Sequence, residues 1–306
     1  MLKNIQKNKQ NVRKFVTILG INLLSTSTSR LLASLESQIT YSIKNPNNKV
    51  KLRIVTPNPE IVLMAQTNKA LKESLNSADF SVPDGIGLAQ AILFNSIALP
   101  RNKIFRYISG LVHGVYVGLL TLVDPKEVFS ALNVIKGRQL FLDLIELANK
   151  NQWKVFLLGG ENNEADMANR LLKDKFQTLN IKSFGGPILD KGANPASKVD
   201  RKLEIDAVDM INKYTPNLLF VAFENPKQEI WAKENIRKLN VNLIMSVGGT
   251  YRYISGMSSL PPHWMEEFGL EWLWRLITEP SRLKRILNAF PVFPWKVFLT
   301  KVNSID

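Results

Sequence analysis

Asp84 is the residue of this chain best placed for proton chemistry. It stands in PDGIG, directly after the apolar run FSV. A carboxylate at the carboxyl end of a strand faces the crevice where open α/β sheets bind ligands, and there it can take a proton from an attacking hydroxyl. The alternative role is an N-cap for the helix that follows. Thr56 and Asn58 in TPNPE are either turn formers or polar contacts to a substrate. Gln228 in NPKQE lies just inside a helix after a strand, where its amide can bind a ligand hydroxyl or a base edge, or cap the helix. Gly159-Gly160 ends a strand and precedes a helix, so backbone N–H groups there can approach a phosphate beside a positive helix dipole. Gly248-Gly249 stands in the same position after another strand. Neither pair is a GxGxxG or Walker motif, and glycines after a strand also serve simply to turn the chain.

Other chemistries are closed. The chain has no cysteine, which removes disulfides, thiolate metal sites and cysteine nucleophiles. With two histidines, His113 and His263, a histidine-built metal site is not expected. His113 sits alone in an apolar run and reads as packed or interfacial; His263, before Trp264, reads as a boundary residue.

The elements that must position these residues alternate between strand and helix. VTILGI (16–21), KLRIVT (51–56), KVFLLGG (154–160), NLLFVAF (217–223) and VNLIMSVGG (241–249) read as strands, and FSVPDG (80–85) as a short strand and turn. Helices are expected over 29–43, 61–75, 86–93, 139–149, 164–175 and 230–239. Continuous apolar strands in βαβα order predict an α/β fold: a Rossmann-like, mostly parallel sheet with helices on both faces. The ligand rule then points at the loops beginning at Thr56, Asp84, Gly159, Asn225 and Gly248.

Two regions depart from that pattern. Tyr107–Val123 (YISGLVHGVYVGLLTLV) has no Asp, Glu, Lys or Arg, at the short limit for a membrane span; a buried or interfacial hairpin is the competing expectation. From about Pro261 the chain becomes helical, aromatic and basic, with prolines as punctuation. The expected division is a basic tail over 1–14, an α/β domain over 15–257 with an apolar insertion at about 98–132, and a C-terminal appendage over 258–306.

The 306 residues carry a formal charge of +14, which calls for an anionic partner: nucleic acid, a membrane surface or a phosphate-bearing substrate. Up to Arg53 there are ten Lys or Arg against one acid, Glu36. From Arg275 to Lys301 cations interleave with Trp295, Phe290, Phe293 and Phe298 and follow Trp272 and Trp274, a mixture suited to a lipid headgroup interface. It also suits stacking on single-stranded nucleic acid. No nucleic-acid motif appears, and the basic residues lie at the ends of the chain.

Six segments in order, TPNPEIVLMAQ, SADFSVPDGIGLAQA, WKVFLLGGENNEA, LLFVAFENPKQEIW, SVGGTYRYISG and PPHWMEEFGLEWLWRLITEPSRLKR, resemble the WecG/TagA/CpsF glycosyltransferases (glycosyltransferase family 26). The likeness spans roughly 16–285. It implies inverting, metal-independent transfer of N-acetylmannosamine or a related sugar from a UDP donor to a polyprenyl-diphosphate-linked amino sugar, with no cofactor. Asp84 is the implied base, with Thr56 and Gln228 in catalytic positions. Substrate contacts are implied for Asn58, Gly85, Gly159, Gly160, Glu161, Asn225, Lys227, Gly248, Gly249, Arg275, Arg282 and Arg285. The appendage is expected to dock peripherally on an anionic membrane surface at the cytoplasmic face of the plasma membrane, bringing arginines to the site. Self-association is also implied, and nucleic acid is not an expected partner. The competing reading is a basic nucleic-acid- or membrane-binding protein without catalysis.

Three departures stand out. In NVIKGRQLF (133–141), Val134 and Gln139 occupy places where the family usually has Arg and Asp, with Arg138 nearby as a substitute. The insertion at about 98–132 is expected to be either a second membrane contact or a flap over the sheet edge. The usual Phe-Asp-Phe-like triplet reads Tyr251-Arg252-Tyr253, an exchange that favours an acidic donor sugar.

Overall fold

A computed structural model describes residues 14–304 of the chain. The basic tail expected at 1–14 therefore lies, but for Lys14, outside the described residues. In chain order the elements are β1 (Lys14–Ile18), β2 (Ile21–Ser25), α1 (Thr28–Lys44), β3 (Leu52–Val55), α2 (Pro59–Met64), α3 (Lys69–Asn76), β4 (Phe80–Ser81), α4 (Ile86–Ser96), α5 (Lys103–Val123), α6 (Pro125–Ala131) and α7 (Gly137–Lys150). They continue with β5 (Val155–Gly159), α8 (Glu164–Lys175), β6 (Ile181–Phe184), α9 (Lys198–Tyr214), β7 (Leu218–Ala222), α10 (Lys227–Asn235), β8 (Leu243–Ser246) and α11 (Thr250–Ile254). Four helices end the chain: α12 (His263–Glu267), α13 (Glu271–Thr278), α14 (Leu283–Leu287) and α15 (Phe293–Asn303).

Six strands form one parallel sheet in the order β4-β3-β8-β7-β5-β6. Every residue of β3, β5, β7 and β8 is buried, because helices cover both faces. Leu52, Ile54, Leu157, Phe220 and Met245 pack on one side with Leu144 and Phe141 of α7. Phe156, Leu158, Leu219, Val221 and Ile244 pack on the other with Ile211 of α9 and Trp231 of α10. The period of two along each strand thus survives inside an unbroken apolar run.

Three expectations need correction. VTILGI is not one strand of the parallel sheet: Leu19 (φ 48°) and Gly20 (φ 74°) turn the chain, and β1 and β2 pair antiparallel as a separate hairpin. Two consecutive left-handed residues match the twist of a tight hairpin. Gln66 Nε2 donates to Leu19 O and Asn76 Nδ2 to Gly20 O, which hold that turn. The helix expected over 61–75 is two helices, because Asn58 and Asn68 each cap a start: Asn58 Oδ1 accepts from Ile61 N at 2.9 Å and Asn68 Oδ1 from Leu71 N at 3.0 Å. The hairpin considered for 107–123 is instead one helix, α5, of 21 residues. β6 and α9 had no counterpart in the sequence reading. Their amphipathic, charge-rich stretches lack the unbroken apolar character of the other strands.

Candidate active site

Since the strands are parallel, their following loops share one rim. β3 and β8 are adjacent, so the loops after Val55 and Ser246 start about 5 Å apart. β5 lies three strands from β3, about 14 Å away by the same spacing.

Asp84 sits at the end of β4. The backbone holds it there from two sides: Asp84 N–H donates to Pro57 O at 2.9 Å, and Ile135 N–H donates to Pro83 O at 3.0 Å. The cap position of α4 belongs to Gly85 at φ 91°, which leaves the Asp84 carboxylate out of the α4 cap. That carboxylate accepts from the backbone N–H of Gly137 instead. A Cβ on Gly137 would stand 3.2 Å from Thr56 Oγ1 and 3.4 Å from Asp84 Oδ2. Thr56, Asp84 and the start of α7 therefore converge on one point, and the missing side chain at 137 keeps it open.

The crevice walls raise the Asp84 pKa to about 6. Removal of bulk water is the main cause and the nearby Glu271 adds to it, while Arg275, the Gly137 N–H and Lys136 pull the other way. Glu271 and Arg275 lie one turn apart on α13. α12 and α13 are held over the rim by ion pairs: Lys136 Nζ to Glu271 of α13 at 2.5 Å and to Glu266 of α12 at 3.2 Å, and Arg138 to Glu266 at 2.7 Å. Tyr253 is flanked by two guanidinium groups, Arg138 at 5.2 Å and Arg275 at 5.6 Å from its ring centroid. Burial alone would lower the Arg275 pKa; Tyr253, Asp84, Glu271 and Glu279 more than offset it. Arg285 Nε reaches Glu60 at 2.8 Å and ties α14 to α2. The Arg282 side chain lies outside the described residues.

The other expected residues divide by role. Asn58 caps α2, as above. Gln228 is buried and braces two loops: its Oε1 accepts from Gly248 N–H at 3.0 Å, and its Nε2 donates to Asn225 Oδ1 and Glu229 Oε1, both at 2.7 Å. Lys227 pairs with Glu224 at 3.8 Å. Gly248 (φ 54°) needs its left-handed backbone, and a Cβ on Gly249 would meet nothing within 4 Å, so this loop offers open main chain to a ligand. Gly159 (φ 90°) is required by close packing, since a Cβ would lie 2.6 Å from Ala222 O. Gly160 (φ 83°) backs onto Tyr251, and Glu161 is exposed beyond it. The start of α8 already holds an acid, Glu164, paired with Arg252 at 3.2 Å; burial raises the Glu164 pKa and Arg252 opposes it.

Val134 packs into the core beside α4 and α6, and Gln139 donates to Asp143 on its own helix at 2.8 Å. Lys136, Gly137 and Arg138 are the members of that stretch at the crevice. Lys136, Gly137, Glu271 and Glu229 were not singled out from sequence, and Tyr253 was marked only within the Tyr251-Arg252-Tyr253 triplet. Gly137 lay within a stretch already marked, and the Glu271/Arg275 pair has helical spacing; nothing local signals Glu229. Glu229 is buried with its pKa raised to about 7 by burial, opposed by the Gln228 amide, and its Oε2 has no hydrogen-bond partner. Among the described residues no three His, Asp or Glu side chains group as metal ligands. A cavity of about 690 Å³ lies elsewhere, between the β1–β2 turn, the end of α4 and α15, and contains none of the expected site residues.

The sequence pattern of the glycosyl transferase WecG/TagA/CpsF family matches residues 16–109 and 129–306. The unmatched piece is therefore 110–128, narrower than the insertion expected at 98–132. Proteins described as N-acetylglucosaminyldiphosphoundecaprenol N-acetyl-beta-D-mannosaminyltransferase from Staphylococcus aureus, strains NCTC 8325 / PS 47 and COL among them, are 26% identical over 296 residues, 96% of each chain. With both glycine loops, the PDG carboxylate and the C-terminal arginine helix falling inside the matched regions, the chain belongs to the WecG/TagA/CpsF glycosyltransferase family.

Proposed function

We propose that this glycosyltransferase moves N-acetylmannosamine, or its uronic acid, from a UDP donor to a polyprenyl-diphosphate-linked N-acetylglucosamine, inverting the anomeric centre without a metal. The relatives' acceptor supports the lipid-linked substrate and a place in cell-wall polymer synthesis such as teichoic acid. The observation that carries the reading is Asp84: a carboxylate outside the cap of its own following helix, beside Thr56 and an open glycine, with its pKa raised to about 6.

In the step proposed, an acceptor hydroxyl attacks the anomeric carbon from the face opposite the diphosphate. Its proton passes to the Asp84 carboxylate as the new C–O bond forms. The bond to the leaving oxygen breaks and UDP departs with the electron pair. The Gly248-Gly249 main chain and Arg275 offset the charge that develops on the diphosphate. Gln228 is a positioning residue, since it fixes the Gly248 loop. A pKa near 6 leaves Asp84 ionised at neutral pH yet basic enough to accept a proton. The C-terminal helices, with Trp264 and Trp295 exposed, face an anionic membrane at the cytoplasmic surface, where the acceptor resides. Self-association accompanies this reading only as an expectation from the family.

The test is transfer by Asp84→Asn beside wild type, with UDP-sugar and a short-chain lipid diphosphate acceptor. The variant is expected to lose about 10²–10⁴-fold in kcat while still binding UDP. Wild-type kcat/KM should fall as pH drops through about 6, as the carboxylate takes up its proton. Equal rates for the two proteins would remove Asp84 from the role.

A further inference from the structure

α5 is covered on one side only. Arg106, Gly110, Val117 and Thr121 face the protein. Gly110 lies against α15 so closely that a Cβ would stand 2.9 Å from the Phe298 ring and 3.1 Å from Val302. The opposite side presents Ile104, Ile108, Leu111, Val115, Leu119 and Leu122, each 49–70% exposed. Their spacing of three and four residues places them on one continuous stripe. Singly exposed apolar residues need no explanation, but a stripe running the length of a 21-residue helix does.

The chemistry of the helix specifies what covers it. Between Tyr107 and Val123 there is no charge. Three of its polar side chains are bonded within the protein: His113 Nδ1 bonds Ser109 O at 2.8 Å, Thr121 Oγ1 donates to Val117 O at 2.9 Å, and Tyr107 OH donates to Asn303 at 2.7 Å, while the amphipathic Tyr116 is exposed. Buried Arg106 donates to Val302 O at 3.0 Å. A helix built this way can enter hydrocarbon without stranding those groups. Arg101 and Lys103 stand at its N-terminal end, and half-exposed Trp295 stacks on Phe298 beside it, which supplies the basic and indole rim of a headgroup layer. A second copy of this chain would bring another +14 against the same face, whereas an anionic bilayer attracts that charge. The family pattern skips 110–128, which holds four of the six stripe residues, Leu111, Val115, Leu119 and Leu122.

We propose that α5 lies in the plane of the membrane interface, with its Ile104–Leu122 stripe sunk among the acyl chains, as a second attachment beside the C-terminal helices. It does not span the bilayer, because α4, α6 and α15 occupy its other side. The inference rests on the membrane placement proposed above and adds the face that meets lipid.

The test uses the full chain with vesicles of phosphatidylcholine and phosphatidylglycerol. Because the chain has no cysteine, Val115→Cys gives a single site for an environment-sensitive fluorophore. Its emission should shift to the blue on adding vesicles and be quenched by nitroxides on the acyl chains. In flotation, the variant Leu111→Glu/Val115→Glu/Leu119→Glu should lose about tenfold or more in partitioning while keeping UDP binding. If wild type floats but the label is unchanged and the triple variant floats equally, α5 is not the lipid contact, although the membrane placement stands. If wild type does not float, the placement fails and this inference with it. A blue shift without vesicles that grows with protein concentration would make the occupant a second copy and overturn the proposal.

Discussion

At the sheet rim, charge is drawn inward and shared; along α5, apolar area is left outside and charge is kept away. Asp84, Arg275, Glu271, Lys136, Arg138 and Glu266 form a network in which each carboxylate has a cation within reach. α5 exposes its apolar side chains along its whole length and hides its one internal arginine. Both arrangements cost stability when judged on the free chain alone. Buried charge is expensive unless paired, and exposed hydrocarbon forgoes the gain of burial. The difference teaches where to look for ligands of each kind: a polar reacting group at the rim, a lipid surface at the helix. The two regions meet in the C-terminal helices, whose α13 closes the crevice and whose α15 packs on α5.

Breaking the rim network should give the largest effect. Arg275→Ala removes a positive neighbour of both Asp84 and the leaving group, and kcat should fall about 10²–10³-fold. It also removes a term that lowers the Asp84 pKa, so the acidic limb of the kcat/KM profile should move above its wild-type midpoint near 6. A loss in kcat with an unmoved limb would separate Arg275 from Asp84. On α5 the contrast lies between two glycines on one helix. Gly110→Val must push Phe298 and Val302 aside, with an expected cost of about 1–3 kcal/mol in denaturant unfolding. Gly118→Ala meets nothing within 4 Å and should stabilise the helix by about 0.5–1 kcal/mol. Equal responses would mean that α15 does not dock there. The smallest and sharpest change is Gly137→Ala. Alanine suits a helix start better than glycine, yet its methyl group would crowd Thr56 and Asp84. Stability should hold or rise while kcat falls about tenfold, or 1.4 kcal/mol. A drop in both would assign Gly137 to folding alone.

How much was legible in the chain varies by residue. The strands around Phe156, Phe220 and Met245 were readable because a parallel sheet covered on both faces needs short, unbroken apolar runs. β6 was not, since its edge position leaves Lys182 exposed and breaks the run. The Leu19-Gly20 turn hid inside an apolar stretch because one glycine there supports either reading. At the site, Asp84 and Asn58 presented the same two options, cap or ligand contact, and the structure divided them. Gly85 took the cap position of α4, while Asn58 kept its own cap. Gln228 was legible as a site residue, but its partners were not, for Gly248 lies twenty residues on.

Composition and local pattern determined the parallel sheet, the loops at its rim, the basic excess and the uncharged run. Each depends on neighbours within one strand or helix turn. Tertiary structure alone decided that Glu271 and Arg275 stand over Asp84, that Gly137 opens the space beside it, and that α5 is covered on one side. The first two join residues more than fifty positions apart, and α5 meets α15 through Arg106 and Val302, 196 positions apart. Their energies come from water removed and charges brought together by folding, and no local stretch of sequence contains either quantity.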